Sequence, residues 1–122
     1  MKHLWWLGLA LICVVNLSCS KSVAPPTPVP LEQLPGMLEK AFAKAKPAAK
    51  DVSSQIVSSL QAKDYAKAYF VMQQLYGQPG LNKEQVQVTT GGLLTLNNVL
   101  MEAQAKGDAK ASEALKYYRE NK

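Results

Sequence analysis

The chain has 122 residues, 14 of them basic and 9 acidic, for a net charge of +5, and it carries two cysteines and one histidine. A chain this long holds one domain of modest size, and a small cationic surplus without dense clustering does not describe a nucleic-acid binder. So little histidine and cysteine leaves almost nothing from which to build a zinc site of nitrogen and sulfur ligands.

The first element is a short basic start, Met1-Lys2-His3, followed by an apolar run of 14 residues from Leu4 to Leu17. A helix needs roughly 20 residues to cross a hydrocarbon layer of about 30 Å, so the run is short for a span. It fits the apolar region of a secretory signal, which is about 7 to 15 residues long and is set aside in any argument about the fold. The run ends at Leu17-Ser18-Cys19, which resembles the lipobox of bacterial lipoproteins: a small residue precedes the cysteine, although Asn16 stands where the family usually has leucine. The resemblance implies that residues 1–18 are a signal peptide and that Cys19 becomes the acylated first residue, so the protein would be anchored by lipid to a bacterial membrane in the cell envelope. The other reading is ordinary cleavage around Ser18-Cys19-Ser20, which would give a soluble periplasmic or secreted protein. On either reading Cys13 and His3 leave with the signal. The mature chain then has no internal disulfide, and histidine-dependent catalysis is excluded.

Residues 19–30 follow as anchor and linker. Four prolines between Ser20 and Pro30 remove backbone donors and fix φ, so neither a helix nor a sheet ladder is expected there. As polyproline II at about 3.1 Å per residue, this tether would reach roughly 35 Å.

Residues 31–122 read as one all-α domain of about five helices in stacked antiparallel hairpins, because the apolar residues recur at spacings of three and four. Leu34, Leu38, Phe42 and Ala45 form the first stripe, and Pro47 suits the first turn of the second helix, which carries Val52, Ile56 and Leu60. Asp64 is the expected N-cap of the third helix, striped by Tyr65, Ala68, Tyr69, Met72 and Leu75 and stopped at Gly77 and Pro79. Leu81-Asn82-Lys83-Glu84-Gln85-Val86 predicts a capping box with Leu81 stapled to Val86. The fourth helix then runs through Val86, Leu93, Leu96, Leu100 and Ala103 to Gly107, a residue able to end it in the left-handed conformation. Asp108 caps the fifth. Gly91-Gly92 lies inside the fourth helix, where each glycine costs about 1 kcal/mol relative to alanine. It is read as a place where another helix packs on bare backbone, with a hinge or ligand approach as the alternative.

Gln61-Ala62-Lys63-Asp64-Tyr65-Ala66-Lys67-Ala68 matches Gln104-Ala105-Lys106-Gly107-Asp108-Ala109-Lys110-Ala111 at six of eight positions, 43 residues apart. Two related hairpins are expected, at about 48–76 and 83–120, since fixed-period helix pairs mark helical repeats. The segment Lys63 to Ala68 also resembles the junction of a tetratricopeptide repeat, which implies helix-pair geometry and a packing role for Ala68. The period differs from that family's 34 residues.

For chemistry, the nine acids include no pair three or four apart, so no helix face presents two together. Gly91-Gly92 lacks the other glycines and the lysine of a phosphate loop. No metal, no cofactor and no catalytic residue is expected. Lys40, Lys44, Lys46 and Lys50 crowd the region between Glu39 and Asp51, with Lys40 and Lys44 expected on one helix face. They are the candidate contact for an anionic envelope polymer or membrane surface, where each lysine near the surface contributes about 1 kcal/mol. Adjacent Tyr117 and Tyr118 cannot share a helix face, so one of them should reach a groove or solvent, as tyrosines at interfaces do. The expected function is a non-enzymatic scaffold or protein-interaction module whose partner is another envelope protein.

Overall fold

The computed structural model describes residues 25–121, and within them the chain forms five α-helices and no strand. They are α1 (Leu34–Phe42), α2 (Pro47–Gln61), α3 (Tyr65–Tyr76), α4 (Lys83–Ala105) and α5 (Ala109–Glu120). The all-helical expectation holds. Cys19 and the expected signal peptide, residues 1–18, lie outside the described residues.

Local chemistry sets the helix ends. Pro35 and Pro47 occupy the first turns of α1 and α2, where a missing N–H removes a donor that has no partner inside the helix. Asp64 and Asp108 each accept a backbone N–H in the first turn of the following helix, from Lys67 at 3.2 Å and from Ala111 at 3.1 Å. The capping box is complete: Asn82 Oδ1 accepts from Gln85 N–H at 2.8 Å, and Gln85 Oε1 accepts from Asn82 N–H at 2.9 Å. Gln85 reaches further. Its Nε2 donates to the carbonyl of Ala41 at 3.1 Å, which ties the start of α4 to a carbonyl in the last turn of α1 that has no helical partner.

The core lies where α3 packs between α2 and α4, with α1 laid across α2 and α4. Leu34, Leu38, Ile56, Ala68, Met72, Leu75 and Leu96 are fully buried in it. The stripes of α1, α2 and α3 face inward as expected, except that α1 stops at Phe42 and leaves Ala45 and Lys44 in the turn before α2. Lys40 and Lys44 therefore do not share a helix face.

The stripe of α4 is phased differently from the expectation. Val86 is exposed and Leu93 half-buried, while Gln85, Val88, Thr89, Gly92, Thr95, Leu96 and Leu100 are buried. Small and polar residues make up much of this seam, so hydrophobicity alone points to a neighbouring face. The hydroxyls are accommodated because Thr89 donates to Gln85 O at 2.6 Å, the usual bond to the carbonyl four residues back, and the Thr95 hydroxyl has both the Val29 carbonyl and Gly91 O, at 3.0 Å, within reach.

The two glycines differ in what they meet. A Cβ on Gly92 would lie 2.8 Å from Met72 Cε and 3.0 Å from Leu34 Cδ1, so this position admits α3 and α1 as the packing reading requires. A Cβ on Gly91 would instead lie 2.7 Å from Val29 Cγ2 and 2.8 Å from the Thr27 carbonyl. Here no helix approaches. The last residues of the proline-rich segment do, so the linker is not a free spacer up to Pro30.

The expected repeat needs a correction of register. Both α2 and α4 end in the same hydrogen-bonded motif: Lys63 N–H donates to Leu60 O and Asp64 N–H to Ser59 O, while Gly107 N–H donates to Gln104 O and Asp108 N–H to Ala103 O. This is the Schellman end, with a left-handed residue at its centre, Lys63 at φ 56° and Gly107 at φ 88°. The backbone equivalence thus pairs Lys63 with Gly107 and Asp64 with Asp108, one residue off the eight-residue sequence match, which pairs Lys63 with Lys106 and Asp64 with Gly107. The two junctions share a form of turn that similar short-range chemistry produces; the shared letters do not mark the equivalent positions.

Candidate functional site

Two aromatic dipeptides, Tyr69-Phe70 on α3 and Tyr117-Tyr118 on α5, meet across the seam between those helices. Neighbouring residues on a helix point about 100° apart, so each dipeptide sends one ring inward and one outward. The inner rings pair, Tyr69 with Tyr118 at 5.5 Å between centroids and 69° between planes. The outer rings pair as well, Phe70 with Tyr117 at 6.0 Å and 62°. Edge-to-face pairs of this kind contribute about 0.5 to 1.5 kcal/mol beyond the area they bury.

The outer pair remains open to solvent, Phe70 at 46% and Tyr117 at 54% exposure. Together the four rings floor and rim a groove of about 320 Å³. Its α3 wall is Ala66, Tyr69, Phe70 and Gln73, and its α5 wall runs from Lys110 through Glu113 and Ala114 to Tyr117 and Tyr118. Both walls follow the i, i+3, i+4, i+7 spacing of a helix face. The groove is apolar, with one lysine and one glutamate at its edge.

At its base the Tyr69 hydroxyl makes a long contact of 3.5 Å to Asn97 Oδ1 of α4. Burial pushes this hydroxyl above the ordinary tyrosine value, and Tyr118 adds to the rise, while a hydrogen bond with Gln73 acts the other way. Tyr69 is therefore a neutral phenol at physiological pH. Apart from Lys110, Glu113 and Gln73, the lining is aromatic or alanine, a composition suited to contact with an apolar surface.

Tyr117 is the member of the Tyr117-Tyr118 pair that reaches solvent, as the helix-face argument requires of one of them. Sequence reasoning missed Phe70, although tandem aromatics at positions 69–70 and 117–118 were a visible signal. Lys40, Lys44, Lys46 and Lys50 are all exposed, but four different settings hold them: α1, the following turn, the N-cap of α2 and its first turns. None forms an ion pair with another described residue, the pair among those being Lys116–Glu120 at 4.0 Å on the surface of α5. Lys50 also lines a groove of about 470 Å³ between α1 and α2 with Glu39, Ser54 and Gln61. Among the described residues no three acids, histidines or cysteines come together as a metal site, and no helix is long and apolar enough to cross a membrane. Compared with protein-family models, with curated proteins and with solved structures, the chain matches none.

Proposed function

We propose that this is a lipid-anchored, non-enzymatic interaction module of the bacterial envelope, which holds a partner protein in the groove between α3 and α5. The observation that supports it is the exposed pair Phe70 and Tyr117, large rings left open to water beside the pair formed by buried Tyr69 and half-buried Tyr118. Aromatic residues in this setting supply most of the energy at protein interfaces. Because both walls are helix faces at i, i+3, i+4 and i+7, the complementary shape is an amphipathic helix laid between them. Acylation of Cys19 supplies the location, and the proline-rich segment the distance from the membrane.

Crosslinking in the native envelope tests both parts. The double variant Phe70→Ala/Tyr117→Ala is expected to stay with membranes and lose the captured partner, whereas Cys19→Ala should move from the membrane to the soluble fraction. Continued capture by the double variant refutes the groove, and continued membrane fractionation of Cys19→Ala refutes the anchor.

A second reading rests on a different observation, the four exposed lysines without acidic partners among the described residues. They would hold an anionic envelope polymer or membrane surface. Such a contact weakens steeply as salt rises, so binding of the domain to anionic vesicles should fall between low and physiological salt and fall further in Lys40→Ala/Lys44→Ala/Lys46→Ala/Lys50→Ala. An apolar interface in the α3–α5 groove would show neither effect.

A further inference from the structure

From Thr27 to Val29 the proline-rich segment lies against α4 at Gly91 and Thr95, while the Pro30 carbonyl accepts from the N–H groups of Gln33 at 3.0 Å and Leu34 at 3.2 Å at the start of α1. The side chain of Val29 and the carbonyl of Thr27 occupy the space that a Cβ on Gly91 would need, at 2.7 and 2.8 Å. The Val29 N–H points to the Gly91 carbonyl at 3.5 Å, and the Thr95 hydroxyl faces the Val29 carbonyl. Pro25, Pro26, Thr27 and Pro28 remain exposed and Val29 is half-buried. The attachment is therefore narrow: one valine side chain, one long backbone contact and one hydroxyl.

Thr95 makes the attachment reversible. Its single hydroxyl proton has two carbonyls within reach, Val29 O on the segment and Gly91 O at 3.0 Å within α4 itself. With the segment seated, the proton goes to Val29 O. With the segment gone, it goes to Gly91 O, the ordinary back-bond of a threonine in a helix, so departure leaves no unsatisfied donor behind. The Val29 N–H and C=O pass to water. Segments held by so few buried contacts open at the low end of a protein's free-energy scale.

We infer that Thr27–Val29 is a releasable latch, received by Gly91 and Thr95 of α4, that sets the reach of the proline-rich tether. Latched, the tether ends at Pro26 and leads onto the middle of α4. Released, it gains three residues, about 9 Å at polyproline II spacing, and leads onto Pro30 at the start of α1. The inference does not depend on which partner the domain binds or on whether Cys19 is acylated.

Amide exchange at Val29, measured by NMR on the processed full-length chain, tests it. In the wild type this amide should exchange at least tenfold more slowly than in a peptide of residues 20–33. Gly91→Ala should erase most of that protection, because the new methyl group takes the place of Val29 while alanine suits the helix better than glycine. The amides of Leu96 and Leu100 should keep their protection. Thr95→Val, which keeps the branched shape and removes the hydroxyl, should speed Val29 exchange by a smaller factor, about threefold. Gly36→Ala, at a position with nothing within 4 Å, is the control and should leave Val29 as it was. If Gly91→Ala loosens the Leu96 and Leu100 amides as well, Thr95→Val decides. A Val29 amide that already exchanges at the peptide rate in the wild type, or one that stays within twofold of wild type in the deciding variant, overturns the latch.

Discussion

The α2–α3 and α4–α5 hairpins turn in the same way and are buried very differently. Each first helix ends in a Schellman motif whose left-handed residue is followed by an aspartate that caps the next helix. Beyond the turn, α3 buries Ala68, Tyr69, Val71, Met72 and Leu75, whereas α5 buries only Ala111 and Leu115. The reason is position in the stack: α3 has neighbours in α2, α4 and α5, but α5 rests on α4 with a narrow contact to α3. Turn chemistry is short-range and can recur wherever its residues recur. Burial depends on what stands on either side, and the end helix keeps a face without a neighbour, which is where the aromatic groove lies.

Core truncation should separate the hairpins most. Met72→Ala, at a fully buried position against Gly92 of α4, should destabilise the whole domain by about 3 kcal/mol, within the range for emptying a core site. Leu115→Ala should cost less, about 2 kcal/mol, and should loosen α5 before the rest. Denaturant unfolding followed by exchange at α3 and α5 amides checks this, and equal loosening of both helices would break the comparison.

The turns should respond in opposite directions to exchange of their central residue. Gly107→Ala forces a side chain into the left-handed region and should destabilise by about 1 to 2 kcal/mol. Lys63→Gly relieves that same arrangement at φ 56° and should stabilise by up to about 1 kcal/mol, part of the gain being offset by the greater freedom of glycine in the unfolded chain. Asp64→Ala and Asp108→Ala should each cost about 1 kcal/mol as lost caps. Melting temperatures of the four variants give the test. A larger effect at Asp64 than at Asp108 would mean that burial of the following helix magnifies the cap.

The smallest effect lies where the hairpins touch, at Tyr69 and Tyr118. The Tyr69 hydroxyl is raised above the ordinary value, first by burial and then by Tyr118, so the folded chain holds this proton to higher pH than the unfolded chain does. Its contribution to stability is thus intact below the unfolded value near 10 and is lost as pH rises through the folded value. Tyr69→Phe should flatten the alkaline fall in stability and leave its slope near pH 7 unchanged. An unaltered alkaline limb would count against burial of this hydroxyl.

Much of this architecture can be read from residues close together in the chain. Pro35 and Pro47 at helix starts, Asp64 and Asp108 as caps, Asn82 with Gln85 as a capping box, and Gly107 at a left-handed end all act within one turn of themselves. The site was less legible. Tyr117 and Tyr118 suggested an outward-facing ring, but pairing with Phe70 joins residues 47 apart, and no local pattern specifies which aromatic on α5 meets which on α3. The inward face of α4 departs from its apolar stripe because Gln85, Thr89, Gly92 and Thr95 occupy its seam, and their hydrogen bonds to backbone and their small size, not hydrophobicity, admit them there.

By itself, then, the sequence determined the number of helices, where each begins, most of their ends though not that of α1, and the composition of the segment before them, because caps, prolines and periodicity act over a few residues. Only the tertiary structure decided which neighbour each face receives. Gly91 and Gly92 show this most directly: two identical residues, adjacent in one helix, of which one takes the side chains of Leu34 and Met72 and the other takes Val29 of the proline-rich segment. The 100° between them on the helix is fixed by local geometry, and what stands in each direction by the packing of the whole chain.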